Sequence, residues 1–229
     1  MKFPTGLIVS SQALEGNPLR DPLALARMAR AAELGGAQAI RANGTEDIRA
    51  MRRAGVTVPI IGIDKRKDAT GRTVITPDFE GAKRVVEAGA TIIALDTTFF
   101  ESDIREDRRT LIRRLHEELQ VPVMADISTA AEAKYAAEIG ADAVSTTLAG
   151  YIPGALHTAE ELYTPNFALL EEIAAMKLPT VLVGEGRFWC PQDVKRAYEI
   201  GADAVVIGKA ITNPMAITKY FIAVSEGIA

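Results

Sequence analysis

Cysteine is nearly absent from this chain of 229 residues. Cys190 stands alone, which excludes an internal disulfide and suits a reducing compartment. With no His–Cys motif around it, Cys190 reads as a plain loop or helix-start residue. Histidine is almost as scarce: His116 falls on a charged helical stretch and reads as a surface residue, and His157 falls in a long loop. No group of His, Cys and carboxylates has metal-ligand spacing, so no metal is expected to be required. Positive charge is not in excess either. The 26 basic residues face 30 acidic ones, a net charge of −4, which argues against nucleic acid or an anionic membrane as partner. No apolar run approaches a membrane span. The first residues, Met1-Lys2-Phe3-Pro4-Thr5-Gly6, lead straight into Leu7-Ile8-Val9 with no small-residue cleavage site before them. A soluble cytoplasmic protein is expected.

What the chain does have is apolar content, 48%, enough for one substantial core, and residues 1–229 are expected to form a single domain. Eight short apolar runs recur: Gly6–Ser10, Ala37–Arg41, Val58–Ile63, Thr91–Asp96, Val121–Asp126, Asp142–Thr147, Thr180–Gly184 and Asp203–Gly208. Stretches of helical period lie between them. The clearest is Arg105–Leu119, where Leu111, Leu115 and Leu119 share one face and charges fill the others. Strands alternating with helices imply βαβ units and a parallel sheet.

An internal repeat supports this. Glu138-Ile139-Gly140-Ala141-Asp142-Ala143-Val144 recurs as Glu199-Ile200-Gly201-Ala202-Asp203-Ala204-Val205, with looser copies at Glu33–Ala37 and Glu87–Ala90. Each copy reads as a helix end, a glycine suited to the left-handed cap, then a strand. Helix starts are marked by Thr129-x-x-Glu132, which has capping-box spacing, and by Pro77-Asp78, Pro191 and Pro214. Eight such units predict a closed (β/α)8 barrel. An open doubly wound sheet is the alternative, but the G-x-G-x-x-G loop it would carry after its first strand is missing. Two connections are long, Asp64 to Thr76 and Leu148 to Pro165. Both follow strand C-termini, the face where barrel enzymes keep their active sites. The second has its own helix signal, Thr158-x-x-Glu161, and two tyrosines, Tyr151 and Tyr163.

Polar residues collect on that face. Gln12 follows the first strand, Arg41 ends the second, Lys65 follows the third, Asp126 ends the fifth, Glu185 and Arg187 follow the seventh, and Gly208-Lys209 follow the eighth. A ring of opposite charges at one mouth is a candidate site. Each member also has a plainer reading. Lys65 is one of three consecutive cations with Arg66 and Lys67, Arg41 suits an ion pair inside the mouth, and Asp126 suits a cap for the helix after Ser128-Thr129. Glu185 is harder to read as structural, because Gly184 and Gly186 on either side let the backbone turn and a ligand approach. Trp189 is read as packing its loop.

Gly186-Arg187 and Gly208-Lys209 offer backbone N–H groups and two cations at the ends of strands seven and eight. A short helix starting near Lys209 would complete the usual phosphate site of the fold. The third and seventh strands of an eight-stranded ring face each other, so Lys65 and Glu185 would approach a bound molecule from opposite sides. Acid/base groups on opposite faces of one carbon suit epimerisation, one holding a proton and the other free to take one.

At this point the sequence resembles the N-acetylmannosamine-6-phosphate 2-epimerases. The matching segments run in order along nearly the whole chain: Gly6-Leu7-Ile8-Val9-Ser10 with Gln12-Ala13-Leu14, Ile40-Arg41-Ala42-Asn43-Gly44, Ile60-Ile61-Gly62, Lys65-Arg66, Ile75-Thr76-Pro77 and Ala94-Leu95-Asp96. They continue as Met124-Ala125-Asp126-Ile127-Ser128-Thr129, Thr146-Thr147-Leu148, Gly150-Tyr151, Glu185-Gly186-Arg187, and Ala210-Ile211-Thr212 with Pro214. The resemblance implies a (β/α)8 barrel, a homodimer, and an isomerase that interconverts the 6-phosphates of N-acetylmannosamine and N-acetylglucosamine in sialic acid breakdown, without a cofactor. It assigns Lys65 and Glu185 as catalytic and Gln12, Arg41 and Asp126 as substrate-binding. This chain departs from the family pattern at Ser11, Asp64, the Arg66–Thr73 loop and Ile152–Leu162. Two other readings stay open: a Schiff-base aldolase using Lys65 as nucleophile, and a non-catalytic phosphosugar-binding barrel.

Overall fold

The structure, a computed structural model, describes residues 2–151 and 163–227. His157 and the helix signal Thr158-x-x-Glu161 therefore lie outside the described residues. Ten strands and nine α-helices are described: β1 (Gly6–Ser10), α1 (Pro22–Leu34), β2 (Ala39–Asn43), α2 (Thr45–Arg53), β3 (Ile60–Ile63), β4 (Lys65–Lys67), β5 (Thr73–Ile75), α3 (Phe79–Glu87), β6 (Ile92–Asp96), α4 (Arg108–Arg114), β7 (Val123–Asp126), α5 (Ala130–Glu138), β8 (Ala143–Ser145), α6 (Phe167–Met176), β9 (Val181–Glu185), α7 (Pro191–Ile200), β10 (Ala204–Ile207), α8 (Lys209–Thr212) and α9 (Pro214–Ser225). Eight of the strands close into a barrel in the order β1-β10-β9-β8-β7-β6-β3-β2, every pair parallel. This is the (β/α)8 architecture the alternating pattern predicts.

Both faces of each strand are buried, so the strands read as continuous apolar runs, yet their side chains still alternate. Ile8, Ala39, Ile61, Ile92, Ala94, Met124, Ala143, Val183, Ala204 and Val206 point inward and fill the barrel, with Phe3 packed among them. Val9, Ile40, Ile60, Ile93, Leu95, Val123, Ala125, Val144 and Val205 point outward into the layer beneath the helices. Small alanines opposite larger Ile, Val and Met let the inner layers interdigitate.

The repeated segment has a physical reason. Gly140 and Gly201 take φ of +101° and +118°, which ends each helix without a steric cost. Asp142 and Asp203 then do the same work. The carboxylate of Asp142 accepts the N–H of Val123 at 2.7 Å and that of Asp203 accepts the N–H of Leu182 at 2.8 Å, each stitching one strand start to its neighbour. Thr129 and Glu132 form the expected capping box, and Pro191 and Pro214 stand in the first turns of α7 and α9. Cys190 is the residue just before α7, and His116 sits on an exposed surface against Asp142 at 2.8 Å.

Four expectations need correction. The segment from Asp64 to Thr76 is not an irregular loop: β4 and β5 pair as an antiparallel hairpin, Lys65 opposite Ile75. The β-branched run Thr73-Val74-Ile75 pairs with Lys65-Arg66-Lys67 over a turn at Gly71 (φ +82°). The helix predicted over Arg105–Leu119 starts only at Arg108, capped by Asp107, and winds as a π-helix over Leu115–Leu119. Arg105 is drawn off instead to the buried Asp96, 3.2 Å away. The second strand runs two residues further than predicted, to Asn43, and Glu185 is the last residue of its strand rather than the first after it.

Candidate active site

The inward alternation carries on above the apolar layers. Two residues beyond Ile8, Ala39, Met124, Ala143 and Val183 stand Ser10, Arg41, Asp126, Ser145 and Glu185. The same period that fills the barrel therefore aims these polar side chains into its mouth.

Arg41 is the centre. Its Nη1 and Nη2 donate to the two oxygens of Asp126 at 3.0 and 2.6 Å, a two-pronged contact that a planar guanidinium makes well. Nη1 also reaches Glu185 Oε2 at 2.5 Å. Arg41 and Asp126 are almost wholly out of water, with side-chain exposures of 1% and 0%. Burial works against the charge on Arg41, but Asp126 and Glu185 outweigh it and raise its pKa. Burial raises the pKa of Asp126, while Arg41 pulls the other way. The reading of Asp126 as a helix cap fails, because Thr129 caps α5. The reading of Arg41 as an ion pair in the mouth holds, and its partners are the two site carboxylates.

Lys65 approaches from the opposite side, on the hairpin strand that follows β3. β3 and β9 are four places apart in the ring of eight, as the sequence reading requires. The Lys65 N–H donates to Asn43 Oδ1 at 2.9 Å and its ammonium donates to Gln12 Oε1 at 2.8 Å. Gln12 is fixed in turn by its own N–H donated to Ser10 Oγ at 2.8 Å. Burial, then the charge of Arg41, lower the pKa of Lys65 to about 8, with Glu185 and Asp126 opposing. A lysine so placed is partly neutral near physiological pH and can act as a base. Asp64, its chain neighbour, is turned away to Arg84 at 2.9 Å and Arg66 at 3.4 Å.

Two residues that sequence reasoning did not single out belong to the site. Thr147 Oγ1 donates to Asp126 at 2.5 Å and lies 2.9 Å from Glu185 Oε2. Ser145 Oγ lies 3.3 Å from the same oxygen of Glu185. Thr146, between them, accepts the N–H of Glu185 and donates to its carbonyl, both at 2.9 Å, so this short turn clamps the end of β9. The signal was available: Ser145 continues the inward period of β8, and a Ser-Thr-Thr run at a barrel strand's C-terminal end is polar where the strand face is apolar.

Of the phosphate candidates, Gly186 and Arg187 both lie in the left-handed region, at φ +105° and +61°. The guanidinium of Arg187 lies 5.9 Å over the ring of Tyr151, and its buried Nε has no hydrogen-bond partner among the described residues. Gly208 precedes α8, which begins at the exposed Lys209. These two loops follow the neighbouring strands β9 and β10. Trp189 packs its loop as expected, stacked on Tyr220 at 4.6 Å with Tyr163 against its edge.

A family model described as "Putative N-acetylmannosamine-6-phosphate epimerase" matches residues 25–226. The chain belongs to that epimerase family. A relative from Caldanaerobacter subterraneus subsp. tengcongensis, named "Putative N-acetylmannosamine-6-phosphate 2-epimerase", is 44% identical over 222 residues, covering 96% of this chain and 91% of its own. A relative of the same name from Clostridioides difficile is 41% identical, covering 96% of both chains. Among solved structures, the N-acetylmannosamine-6-phosphate 2-epimerase of Clostridium perfringens superposes with a TM-score of 0.87 at 37% identity, covering 96% of this chain and 93% of that one. A thiamine phosphate pyrophosphorylase from Pyrococcus furiosus, at 14% identity and a TM-score of 0.58 over 94% of this chain and 91% of its own, shares the fold alone. Of the positions read from the sequence as departures, Ile152–Leu162 lies outside the described residues. Ser11, buried, donates to the Leu25 carbonyl at 2.8 Å, and Asp64 serves the hairpin.

Proposed function

We propose that this protein interconverts N-acetylmannosamine 6-phosphate and N-acetylglucosamine 6-phosphate by removing the proton at C2 from one face and returning one to the other. The observation that carries this is the pair Lys65 and Glu185, brought to one buried mouth from opposite strands, with the Lys65 pKa lowered to about 8. The C2 proton of the open-chain sugar lies beside the C1 carbonyl, which makes it removable. Neutral Lys65 takes it, Glu185 in its protonated form supplies the other face, and the reverse reaction exchanges the roles.

Arg41 would stabilise the enolate oxygen. Its Nη groups are held by Asp126 and Glu185, leaving Nε, buried and without an acceptor among the described residues, as a donor in a site shielded from water. Asp126 and Gln12 orient the sugar. The contacts on Glu185 from Arg41, Thr147 and Ser145 all reach Oε2, so Oε1 is the oxygen assigned to C2. Gly186, Arg187, Gly208 and Lys209 would hold the phosphate. Lys65 and Glu185 together supply the whole proton transfer, so the reading calls on no cofactor. We read the reaction as a step of sialic acid breakdown, the setting that the family resemblance implies.

A homodimer is part of the reading. Helix α9 is apolar yet buries no residue in this chain, and its Phe221, Ile222 and Val224 are 67%, 49% and 51% exposed, a surface suited to a second copy. Light scattering of the wild type and Phe221→Glu tests this.

For the reaction, N-acetylmannosamine 6-phosphate is incubated with the protein in D2O and followed by NMR. The expected result is N-acetylglucosamine 6-phosphate carrying deuterium at C2. Product without C2 deuterium, or a borohydride-trapped adduct on Lys65, would overturn the mechanism and favour the aldolase reading.

A further inference from the structure

Thr147 stands where one proton is wanted in two places. Its Oγ1 is 2.5 Å from Asp126 Oδ1 and 2.9 Å from Glu185 Oε2, while Ser145 Oγ lies 2.8 Å from Thr147 Oγ1 and 3.3 Å from Glu185 Oε2. A hydroxyl carries a single proton. Thr147 can therefore donate to only one carboxylate at a time, although both are within reach. Arg41 Nη1 is in the same position: it carries two hydrogens and faces Asp126 at 3.0 Å, Thr147 at 3.1 Å and Glu185 at 2.5 Å.

From this proton count, and resting on the epimerase reading of Glu185, we propose that Thr147 is a positioning residue whose hydroxyl follows the charge of Glu185. When Glu185 is ionised, Thr147 turns its proton to Oε2 and Ser145 adds a second donor. When Glu185 carries a proton, Thr147 turns to Asp126, which keeps its two bonds from Arg41 in either state. The turn needs only rotation about one C–O bond, because the backbone is fixed. Thr146 bonds both backbone groups of Glu185 at 2.9 Å, and the Leu148 N–H donates to the Ile127 carbonyl at 3.1 Å. The two-base reaction needs Glu185 in both states within each cycle, and a rotating hydroxyl gives each state its own set of hydrogen bonds. The charged groups facing Glu185 are Arg41 from β2, Asp126 from β7 and Lys65 from the hairpin; a change at Thr147 keeps all three but takes a hydroxyl contact from Asp126 and from Arg41.

The test uses protein labelled with ¹³C at the glutamate carboxyls. The Glu185 signal is identified by its loss in Glu185→Gln, and its chemical shift is followed against pH with no substrate present. Thr147→Val keeps the shape and removes the hydroxyl. Its Glu185 titration midpoint is expected above wild type, but by less than the roughly one pH unit that a donor to the ionised form alone would give, because the bond to Asp126 that goes with the protonated form is lost too, and Asp126 keeps its two bonds from Arg41. Thr147→Ser should return the midpoint to within about a third of that shift. If Thr147→Val does not fold, Ser145→Ala decides: it removes the other donor and should move the midpoint the same way. A midpoint unmoved in the valine or alanine variant overturns the proposal, and so does a serine variant that shifts as far as valine. Wild-type turnover is measured on the same samples. A protein that titrates as stated but does not epimerise overturns the epimerase reading and leaves the hydroxyl's behaviour standing.

Discussion

Arg41 reaches across the barrel mouth from β2 to Asp126 on β7 through two parallel hydrogen bonds, 3.0 and 2.6 Å long, with both side chains out of water. Such a pair contributes little net stability, because desolvation offsets the attraction, but breaking it leaves a buried charge without a partner. Arg41→Met strands Asp126 and takes the shortest contact from Glu185. The expected cost is about 3–5 kcal/mol of stability, read as a lower denaturant midpoint with an unchanged slope. The double variant Arg41→Met/Asp126→Leu should recover part of that loss, because it removes the stranded carboxylate as well. Equal stability of the single and double variants would mean that the pair is not coupled as its geometry requires.

The lowered pKa of Lys65 sets a pH dependence with a definite sign. In the two-base mechanism Lys65 and Glu185 share one proton, in either arrangement. Raising the pH through about 8 removes that proton from Lys65. So kcat/KM should fall above about pH 8, and by the same factor in both directions, because both directions use the same protonation total. In Glu185→Gln, proton exchange on the lysine face needs only the neutral amine. It should rise with pH, through a limb lower than the wild type's, because Glu185 is one of the charges that hold the Lys65 pKa up. Initial rates from pH 6 to pH 10 measure both.

The same group acts on stability. The folded pKa of about 8 lies below the ordinary value of 10.5, so between these values the unfolded chain binds more protons. Stability from this residue is lowest below about pH 8 and grows toward pH 10.5. Lys65→Met should remove that rise from a plot of unfolding free energy against pH.

On the far side of the barrel Glu33 gives an acid-side prediction. Burial opposes its charge, but the hydroxyl of Thr57, Arg30 and the N–H groups of Thr57 and Val58 outweigh burial and hold its pKa near about 2. With the folded value below the unfolded one, the stabilisation is present above about pH 4.5 and is lost as the pH falls toward about 2. Glu33→Gln should unfold at a lower temperature than wild type at pH 7, and the gap should close as the pH falls through that window. A gap that stays constant between pH 7 and pH 3 would remove the charge from the account.

Much of the fold and part of the site were legible in the sequence, for identifiable reasons. The barrel was readable because its strands are buried on both faces and its repeated glycines mark several helix ends, although Gln120 and Lys177 take the left-handed position after the π-helix and α6. Arg41, Asp126 and Glu185 were readable because a charge at the end of an apolar run needs a reason. Their mutual contacts were not, since residues 85 and 144 positions apart in the chain meet only once the ring closes. The hairpin carrying Lys65 was missed because one of its strands is three consecutive cations and the other has only the adjacent Val74 and Ile75 as apolar residues, so no alternation marks it. Thr147 was missed because a hydroxyl on a turn is ordinary until two carboxylates lie within reach of it.

Phosphate recognition offers another test. Arg187, with its Nε unpartnered among the described residues and its guanidinium over Tyr151, and the Gly208-Lys209 turn are proposed to hold the 6-phosphate. Arg187→Ala should mainly raise KM for the phosphorylated sugar, because a contact made equally in ground and transition states leaves kcat in place. Unphosphorylated N-acetylmannosamine should be a poor substrate for the wild type. Equal turnover of the two sugars would remove the phosphate site.

The division of labour between Lys65 and Glu185 gives the most discriminating experiment. Each group serves one face of C2, so replacing either should stop net inversion, by at least the ~10²–10⁴-fold typical of a lost general base. The two variants should nevertheless behave differently in D2O. Glu185→Gln keeps Lys65, which can still take a proton from its own face and return deuterium there. It should label one epimer without inverting it. Lys65→Met keeps Glu185, with its Oε2 still held by Arg41 at 2.5 Å, and should label only the other epimer. Neither variant should label both. NMR of each sugar phosphate recovered before equilibrium separates these outcomes, since loss of the C2 proton signal and change of configuration are read independently. If Glu185→Gln inverts at close to the wild-type rate, one base is enough: Lys65 then serves both faces, and the sugar must turn within the site between taking and returning the proton.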